Sequence, residues 1–330
     1  MRKDSIVMND RNNRTNLSLW YKNSSTASTL TILLILILMS SALAIAAPSF
    51  LKTSNLLSTA RNFSAIAVAG IGVSIVILTG NIDISVGSVY GLAGVTVAML
   101  MNAGWSVLPA VLMGMTVGAL CGLANGALVV YLRLPSYIAT LGMMQIVRGI
   151  CYILTRGYPV SGMADSFKWI GQGQVLGIPV PIYFMILFAV VFAVFRNMTK
   201  TGRRVFALGG NEEATRISGV NTRALKILGF VLAGACAAFA GIINASKVGV
   251  AQPTAGSGFE MDAIASVIIG GSSMAGGVGT VTGTLIGSAI IGVLRNALVL
   301  LSVESYWQTM VMGVVIISAV TIDQLRKARR

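Results

Sequence analysis

Long apolar segments separated by short polar connections make up most of this chain. A helix needs about 20 apolar residues to cross the hydrocarbon core of a bilayer. Ten segments have the length or composition of such a span, at residues 29–47, 62–79, 86–103, 107–132, 137–154, 178–195, 224–245, 263–275, 281–301 and 307–322. The pattern predicts an all-α integral membrane protein with about ten transmembrane helices, some of them short or interrupted by glycine.

The composition supports a membrane protein and a single domain. Apolar residues make up 55% of the 330 positions and charged residues only 10%, whereas a soluble domain carries about 25% charged residues. No stretch is large and polar enough to form a separate soluble domain. We therefore expect a polar N-terminal tail at residues 1–28, one polytopic membrane domain at residues 29–322, and a basic C-terminal tail at residues 323–330.

The net charge of +14 is concentrated in three places, which are the N-terminal tail, the connection at residues 196–223 and the C-terminus. Cytoplasmic loops of membrane proteins carry such an excess of Lys and Arg. With ten spans, this distribution places both termini and the 196–223 connection in the cytoplasm. It favours a topological role for the basic residues over nucleic-acid binding, although the C-terminal run can also contact anionic lipid headgroups.

The first apolar segment has two interpretations. Its end, ALAIAA, resembles a signal-peptidase site. However, 28 polar residues precede the segment, and such a tail is long for a signal peptide. We therefore favour an uncleaved first helix, with cleavage as the alternative.

Two polar or glycine-rich interruptions occur where an apolar span is expected. TGNIDISVG occupies residues 79–87, and GGSSMAGGVG follows a short apolar segment at residues 270–279. Irregular backbone inside a membrane is tolerated where it is buried in protein or lines a water-filled path, and paired interruptions are typical of translocation sites. The similar hexapeptides VGSVYG and VGTVTG beside them indicate either an internal duplication or the small-residue bias of membrane helices.

Polar side chains near the first interruption are candidates for the translocation path. They are Asn81, Asp83, Ser85, Asn125 and Gln145. Asp83 is the only acidic residue deep in the first half, and an ionisable group within a membrane suggests function. It is a proton-coupling carboxylate, an acceptor for sugar hydroxyls, or a cap for the helix that begins near Ser85.

Glycines four residues apart, at positions 114, 118, 122 and 126 and again at 279, 283 and 287, allow close helix approach. They predict contacts either between two subunits or, as we favour, within one. Arg148 and Arg295 lie in predicted spans, where their long side chains can extend towards the membrane surface.

The predicted external connection near residue 250 supplies candidates for contact with a soluble partner. These are Lys247, Glu260 and Asp262. The two acids have a second interpretation, because carboxylates stabilise the positive end of a helix that begins there.

The segment GRRVFALGGNEEATRISGV, at residues 202–220, is a polar stretch between two apolar segments, and we call it the charged island. A short charged helix with glycine at both ends, placed between two spans, indicates a docking surface.

Several chemical classes have no support in the sequence. There is no phosphate-binding loop of the G-x-x-x-x-G-K-[ST] type, no histidine, and no C-x-x-C pair among the three cysteines. We therefore predict no catalytic residue, no metal site, no cofactor in this chain and no ATP hydrolysis by it. An ion-coupled carrier usually needs carboxylates within its spans, and Asp83 is a single candidate.

Four blocks together carry a family resemblance. They are ILTGNIDISVGSVYGLAG, LPSYIATLGMMQIVRGI, GRRVFALGGNEEATRISGVNTRALKI and MDAIASVIIGGSSMAGGVGTVTGTLIG. In this order, over residues 51–320, the chain resembles the permease subunit of bacterial ABC importers for ribose-type sugars. Similar permeases serve arabinose, xylose, galactose, autoinducer-2 and, more remotely, branched-chain amino acids.

The resemblance implies an inner-membrane protein with several partners. These are a second permease copy, a cytoplasmic ATPase that binds ATP and Mg, and a periplasmic or lipid-anchored sugar-binding protein. The island then corresponds to the coupling helix seated in the ATPase, with Gly209, Gly210, Asn211, Glu212, Glu213, Ala214, Arg216 and Gly219 as its contact residues. The alternatives are an ion-coupled carrier that uses Asp83, or transport of autoinducer-2 or branched-chain amino acids by the same class of importer.

Overall fold

A computed structural model describes the backbone of residues 29–328 and the side chains of residues 29–321. The predicted N-terminal tail lies outside the described residues. The C-terminal residues 323–328, which we expected to be a tail, continue the last helix.

The described chain is almost entirely helical. Its helices are α1 (Thr29–Ala46), a 3-10 turn (Pro48–Leu51), α2 (Thr53–Leu78), α3 (Val86–Asn102), α4 (Val107–Tyr131), α5 (Ser136–Thr155), α6 (Asp165–Gln172), α7 (Val180–Met198), α8 (Lys200–Gly210), α9 (Glu212–Ile217), α10 (Thr222–Val248), α11 (Phe259–Ile269), α12 (Val281–Leu300) and α13 (Ser305–Ala328). The antiparallel strands β1 (Gln174–Val175) and β2 (Ile178–Pro179) form one small hairpin.

A helix occupies each of the ten predicted segments. Seven of the described helices are long and apolar enough to cross a membrane, and α3 and the Ser305–Thr321 part of α13 are shorter apolar helices. The segment predicted at 263–275 differs most from its helix. Helix α11 begins before this segment, at Phe259, and ends at Ile269, so residues 270–275 are not helical. These observations confirm an all-α membrane protein, while the number of helices that cross and the side of the termini stay predictions.

Helices α2 and α10 form the centre of the bundle, and the glycines of α4 pack against α10. A Cβ at Gly122 would overlap the Phe230 carbonyl, and one at Gly118 would meet Gly234 and Ala238. The second glycine row also packs within the chain, because Gly283 and Gly287 of α12 contact the backbone at the end of α11. The interpretation as packing within one subunit is therefore confirmed for both rows.

Side-chain and backbone contacts define two ends of the bundle. At one end, Asn102 donates to the Ser161 carbonyl at 2.9 Å, Val160 pairs with Ala251, and Lys247 donates to Asn62. Helices α8 and α9 lie at the other end. We call these the opposite end and the island end.

An ion pair joins the short helix α11 to α12. The Arg295 guanidinium lies 2.6 Å from the Asp262 carboxylate, which is only 6% exposed. The Arg295 guanidinium is thus held by a buried carboxylate while its side chain stays 43% exposed, and its extension towards the membrane surface stays a prediction. Asp262 and Glu260 both lie in the first turn of α11, where carboxylates stabilise the positive end of the helix.

We predict that Gly122→Ala destabilises the protein. The added methyl group would press on the α10 backbone, and such overpacking costs about 1–3 kcal/mol. Gly313→Ala is the matched control, because a Cβ there meets nothing within 4 Å. The fraction of detergent-solubilised protein that remains monodisperse after heating should fall for Gly122→Ala alone. Equal survival of the two variants would contradict the α4–α10 packing.

We also predict energetic coupling between Asp262 and Arg295. Asp262→Asn and Arg295→Gln should each lower the melting temperature, because each leaves the other partner without its counter-charge. The double variant should lose less than the sum of the two, by a coupling energy of about 0.5–3 kcal/mol. Additive losses in the same melting assay would show that the pair does not stabilise the fold.

Candidate coupling and translocation sites

The charged island consists of two helices rather than the single helix that we predicted. Helix α8 ends at Gly210, and α9 begins at Glu212. Asn211 separates them with an extended backbone, and its side chain accepts the Ala214 N–H at 2.9 Å. Asparagine is a preferred N-cap, so this residue ends one helix and begins the next.

Helix α8 is amphipathic. Gly202, Val205 and Leu208 are buried, whereas Arg203 and Arg204 are exposed. A Cβ at Gly202 would overlap the Phe195 carbonyl of α7. Gly202 therefore allows α8 to pack closely against α7.

The acids of α9 are each paired. The carboxylate of Glu212 accepts a hydrogen bond from Lys226 of α10 at 2.7 Å, and Glu213 lies 2.6 Å from Arg216. The hydrogen bond and the charge of Arg216 lower the pKa of the Glu213 carboxyl, so this acid is charged at neutral pH. The pairs keep α9 close to electrically neutral.

Seven of the eight predicted coupling residues are exposed at the island end. They are Gly210, Asn211, Glu212, Glu213, Ala214, Arg216 and Gly219. The exception, Gly209, is half-buried against the Leu78 carbonyl and Gly277. Sequence reasoning also missed Ile217, an apolar side chain that is 76% exposed on α9.

The two interruptions meet beneath α8. The Gly277 N–H donates to the Leu78 carbonyl at 3.0 Å, which joins the loop before α12 to the end of α2. The similar hexapeptides do not occupy equivalent positions, however. Residues 86–91 are helical, whereas residues 278–280 precede α12.

Asp83, Ser85 and Asn125 form one buried network. The Asp83 carboxylate accepts the Ser85 N–H at 2.9 Å, the Ser85 hydroxyl at 2.6 Å and the Asn125 amide at 3.4 Å. The bond to the Ser85 N–H closes a turn immediately before α3. The N-cap of α3 is Ser85, and no side chain caps this helix, so Asp83 is not the cap that one interpretation expected. The Asp83 side chain is almost fully buried within the subunit.

The other two path candidates are separate from this network. Asn81 donates to the Thr79 carbonyl at 3.1 Å and is buried. Gln145 is exposed on α5 and shares a helix face with Gly142 and Gly149. A Cβ added at either glycine would meet no atom within 4 Å. The role of these residues in translocation stays a prediction.

Two hydroxyl groups of α5 hold the first interruption, and the sequence analysis did not single them out. Ser136 accepts the Ile82 N–H at 3.2 Å, and Thr140 accepts the Ile84 N–H at 3.1 Å. Their spacing of four residues places both hydroxyls on one side of the helix. The Ser136–Thr140 spacing within LPSYIATLG is the sequence feature that could have identified these two hydroxyl groups.

Arg148 is bound inside the protein. Its guanidinium donates to the carbonyls of Pro253 at 2.6 Å, Ala255 at 2.7 Å and Gly87 at 3.3 Å. It therefore ties the loop before α11 to the beginning of α3. The expectation that it extends to the membrane surface is wrong, because backbone carbonyls within reach satisfy the guanidinium.

The predicted external contact residues are largely enclosed. Glu260 is 9% exposed and Asp262 is 4% exposed, and Lys247 donates to Asn62 at 2.8 Å. Burial leaves the two acids little surface for a soluble partner. Their second interpretation, as the first turn of α11, agrees with the structure.

The most exposed surface at the opposite end lies elsewhere. The β1–β2 turn places Leu176 in a left-handed conformation with φ of 51°, and this side chain is 94% exposed. Tyr158 and Trp169 are also exposed. Helix α6 is fixed to α10 nearby, because the Ser246 hydroxyl donates to the Phe167 carbonyl at 2.6 Å.

A comparison with protein families gives one match over most of the chain. Residues 55–320 match the family described as the permease component of the branched-chain amino acid transport system. This range contains both interruptions and the island. No solved structure matches the chain significantly.

Individual relatives agree with this assignment. The chain is 42% identical over 285 residues to the ribose import permease protein RbsC of Escherichia coli K12, covering 85% of this chain and 88% of that protein. It is 41% identical over 283 residues to RbsC of Bacillus subtilis 168, with coverages of 85% and 88%. Identity to the E. coli K12 D-allose transport system permease protein AlsC is 38% over 277 residues, with coverages of 84% and 85%. The chain therefore belongs to the permease family of ABC importers, and it lies in the inner membrane.

Proposed function

We propose that this chain is the transmembrane subunit of an ATP-driven importer for a pentose- or hexose-type monosaccharide. A separate ATPase subunit binds ATP and Mg and supplies the energy, and an external binding protein delivers the sugar. The relatives named for ribose and allose import support the choice of a sugar. The family description also keeps amino acid transport as an alternative cargo, and a relative named for autoinducer 2 import does the same for that signal.

The observation that carries the proposal is the island at one end of the bundle. Seven of its eight predicted contact residues are exposed. Helix α8 packs closely on α7 and α2, and the Glu212–Lys226 ion pair joins α9 to α10. A surface of this kind transmits the movement of a bound partner to the membrane helices.

The charge of the island indicates the charge expected on the partner's docking surface. The acids of α9 are locally paired, whereas Lys200, Arg203 and Arg204 of α8 are exposed. Helix α8 therefore presents a positive surface, whereas the surface of α9 is close to neutral and depends on its ion pairs. An ATPase groove with acidic residues facing α8 would complement the positive surface.

We assign the exposed face of α5 to a path shared with a second copy of this chain. Gln145 is the polar side chain on this face, and Gly142 and Gly149 leave room beside it. A binding protein at the opposite end would meet the β1–β2 hairpin and its neighbours Tyr158 and Trp169, since these apolar side chains are exposed there.

We predict that Glu213→Lys removes the ATPase subunit from the purified complex. The substitution reverses the charge of an exposed α9 residue and repels Arg216 within the docking surface. Exposed ion pairs contribute little to stability, so the permease itself should remain folded. The amount of ATPase that co-purifies in mild detergent, identified by mass, should fall at least about tenfold, which corresponds to about 1.4 kcal/mol.

Asp165→Lys is the matched control for this experiment. Asp165 is also an exposed acid paired to a basic residue three positions later, Lys168 at 2.8 Å, but it lies on α6. It should leave ATPase recovery unchanged. Equal recovery with Glu213→Lys, or no ATPase with the unaltered chain, would refute the proposed docking surface.

We further predict that Asp83→Asn retains most uptake, within about threefold. Asparagine keeps an oxygen that can accept the Ser85 N–H and so preserve the turn before α3. Asp83→Leu removes that acceptor and should lower the amount of folded protein. A carrier that couples transport to proton entry at Asp83 requires the opposite result. Loss of uptake in folded Asp83→Asn, together with sensitivity of normal uptake to an ionophore, would support the carrier and contradict the importer.

A further inference from the structure

Three backbone segments meet at a contact made almost entirely of glycine. Gly209 lies in the last turn of α8, Gly80 follows α2, and Gly276 and Gly277 precede α12. We call these four residues the glycine junction. The Gly277 N–H donates to the Leu78 carbonyl at 3.0 Å, so a hydrogen bond joins the second interruption to the end of α2.

Three of the four junction glycines, Gly209, Gly276 and Gly277, have little room for a side chain. A Cβ at Gly209 would overlap both the Leu78 carbonyl and the Gly277 nitrogen, and a Cβ at Gly276 would lie 3.0 Å from the Gly209 carbonyl oxygen and from the Gly80 nitrogen. Gly80, Gly276 and Gly277 also have positive φ angles of 74°, 89° and 73°, which favour glycine. Backbone therefore packs directly on backbone where α8 meets the two interruptions.

The first interruption extends from the junction to α5. After Gly80 the chain runs towards α3, and its Ile82 and Ile84 N–H groups donate to Ser136 and Thr140 of α5. The contacts thus form a continuous connection from α8, through the junction and residues 81–84, to the beginning of α5.

We propose that Gly209 is a positioning residue that transmits movement of α8 to both interruptions and, through residues 81–84, to α5. Its role is separate from ATPase docking, although it lies beside the docking residues in the sequence. A contact between backbones does not yield by rotamer changes, so a displacement of α8 displaces Leu78 and Gly277 with it. This inference rests on the proposed function.

A glycine outside the docking surface provides the control. Gly209→Ala would push α8 away from Leu78 and Gly277, whereas a Cβ at Gly313 of α13 meets nothing within 4 Å. The two variants make the same substitution, and only the first disturbs the glycine junction.

The test uses the complex of permease, ATPase and binding protein in proteoliposomes, with radiolabelled ribose as the probe and allose and arabinose as further probes. Gly209→Ala should retain the ATPase subunit but lower sugar uptake per ATP hydrolysed at least about tenfold, and stimulation of ATP hydrolysis by the loaded binding protein should be lost. Gly313→Ala should match the unaltered complex in all three measurements.

Thr140→Val keeps the experiment informative if Gly209→Ala does not fold. It removes the hydroxyl that accepts the Ile84 N–H and adds no bulk. The variant therefore breaks the contact between the first interruption and α5 and leaves the glycine junction unchanged. We expect retained ATPase, lost stimulation and lower uptake per ATP. Stimulation of ATP hydrolysis by the binding protein can be measured even if none of the three sugars is transported.

The outcomes separate the inference from the proposed function. Normal coupling in both Gly209→Ala and Thr140→Val would overturn the inference and leave the proposed function intact. Loss of the ATPase in folded Gly209→Ala would also overturn it, because Gly209 would then be a docking residue. If the unaltered chain recruits no ATPase, the proposed function fails, and the inference fails with it.

Discussion

Backbone that leaves a helix inside a membrane has no water to bond with, and this constraint organises the structure. An unpaired N–H or carbonyl in hydrocarbon costs several kcal/mol. At the first interruption, Thr79, Gly80 and Asn81 donate to carbonyls of α2, and Ile82 and Ile84 donate to hydroxyls of α5. Each of these bonds also fixes the interruption to a neighbouring helix. The requirement to satisfy the backbone therefore creates a mechanical connection.

Charged groups within the bundle follow the same rule. Arg148 has three backbone carbonyls as acceptors, and Arg295 has the carboxylate of Asp262. Both arginines hold the region around α11, one through the preceding loop and the other through the helix itself. At the island end the ion pairs are exposed, where they contribute little to stability. The charged side chains inside the bundle thus hold helices and loops together, whereas those at the island can contact a partner protein.

The sequence predicted the helices well because each is encoded by a continuous apolar run. It also predicted that residues 79–87 and 270–279 are irregular, since polar and glycine residues there cannot continue an apolar helix. It could not predict that Leu78 bonds to Gly277, or that Arg148 reaches Pro253, because these contacts join residues more than 100 positions apart. For the same reason Gly209 looked like one more docking residue, and only the fold placed it in a contact between backbones.

Transmission through the glycine junction requires that α8 and the loop before α12 move as one body during the ATP cycle. The direct measurement is the distance between spin labels at Ala207 and Ala275, both exposed, in a complex whose three native cysteines are replaced. We expect the same Ala207–Ala275 distance with and without ATP, while a label at Gln145 changes its distance to the same position in the second copy. A change in the Ala207–Ala275 distance as ATP binds would show that α8 slides over the junction, and it would contradict transmission of movement through this contact.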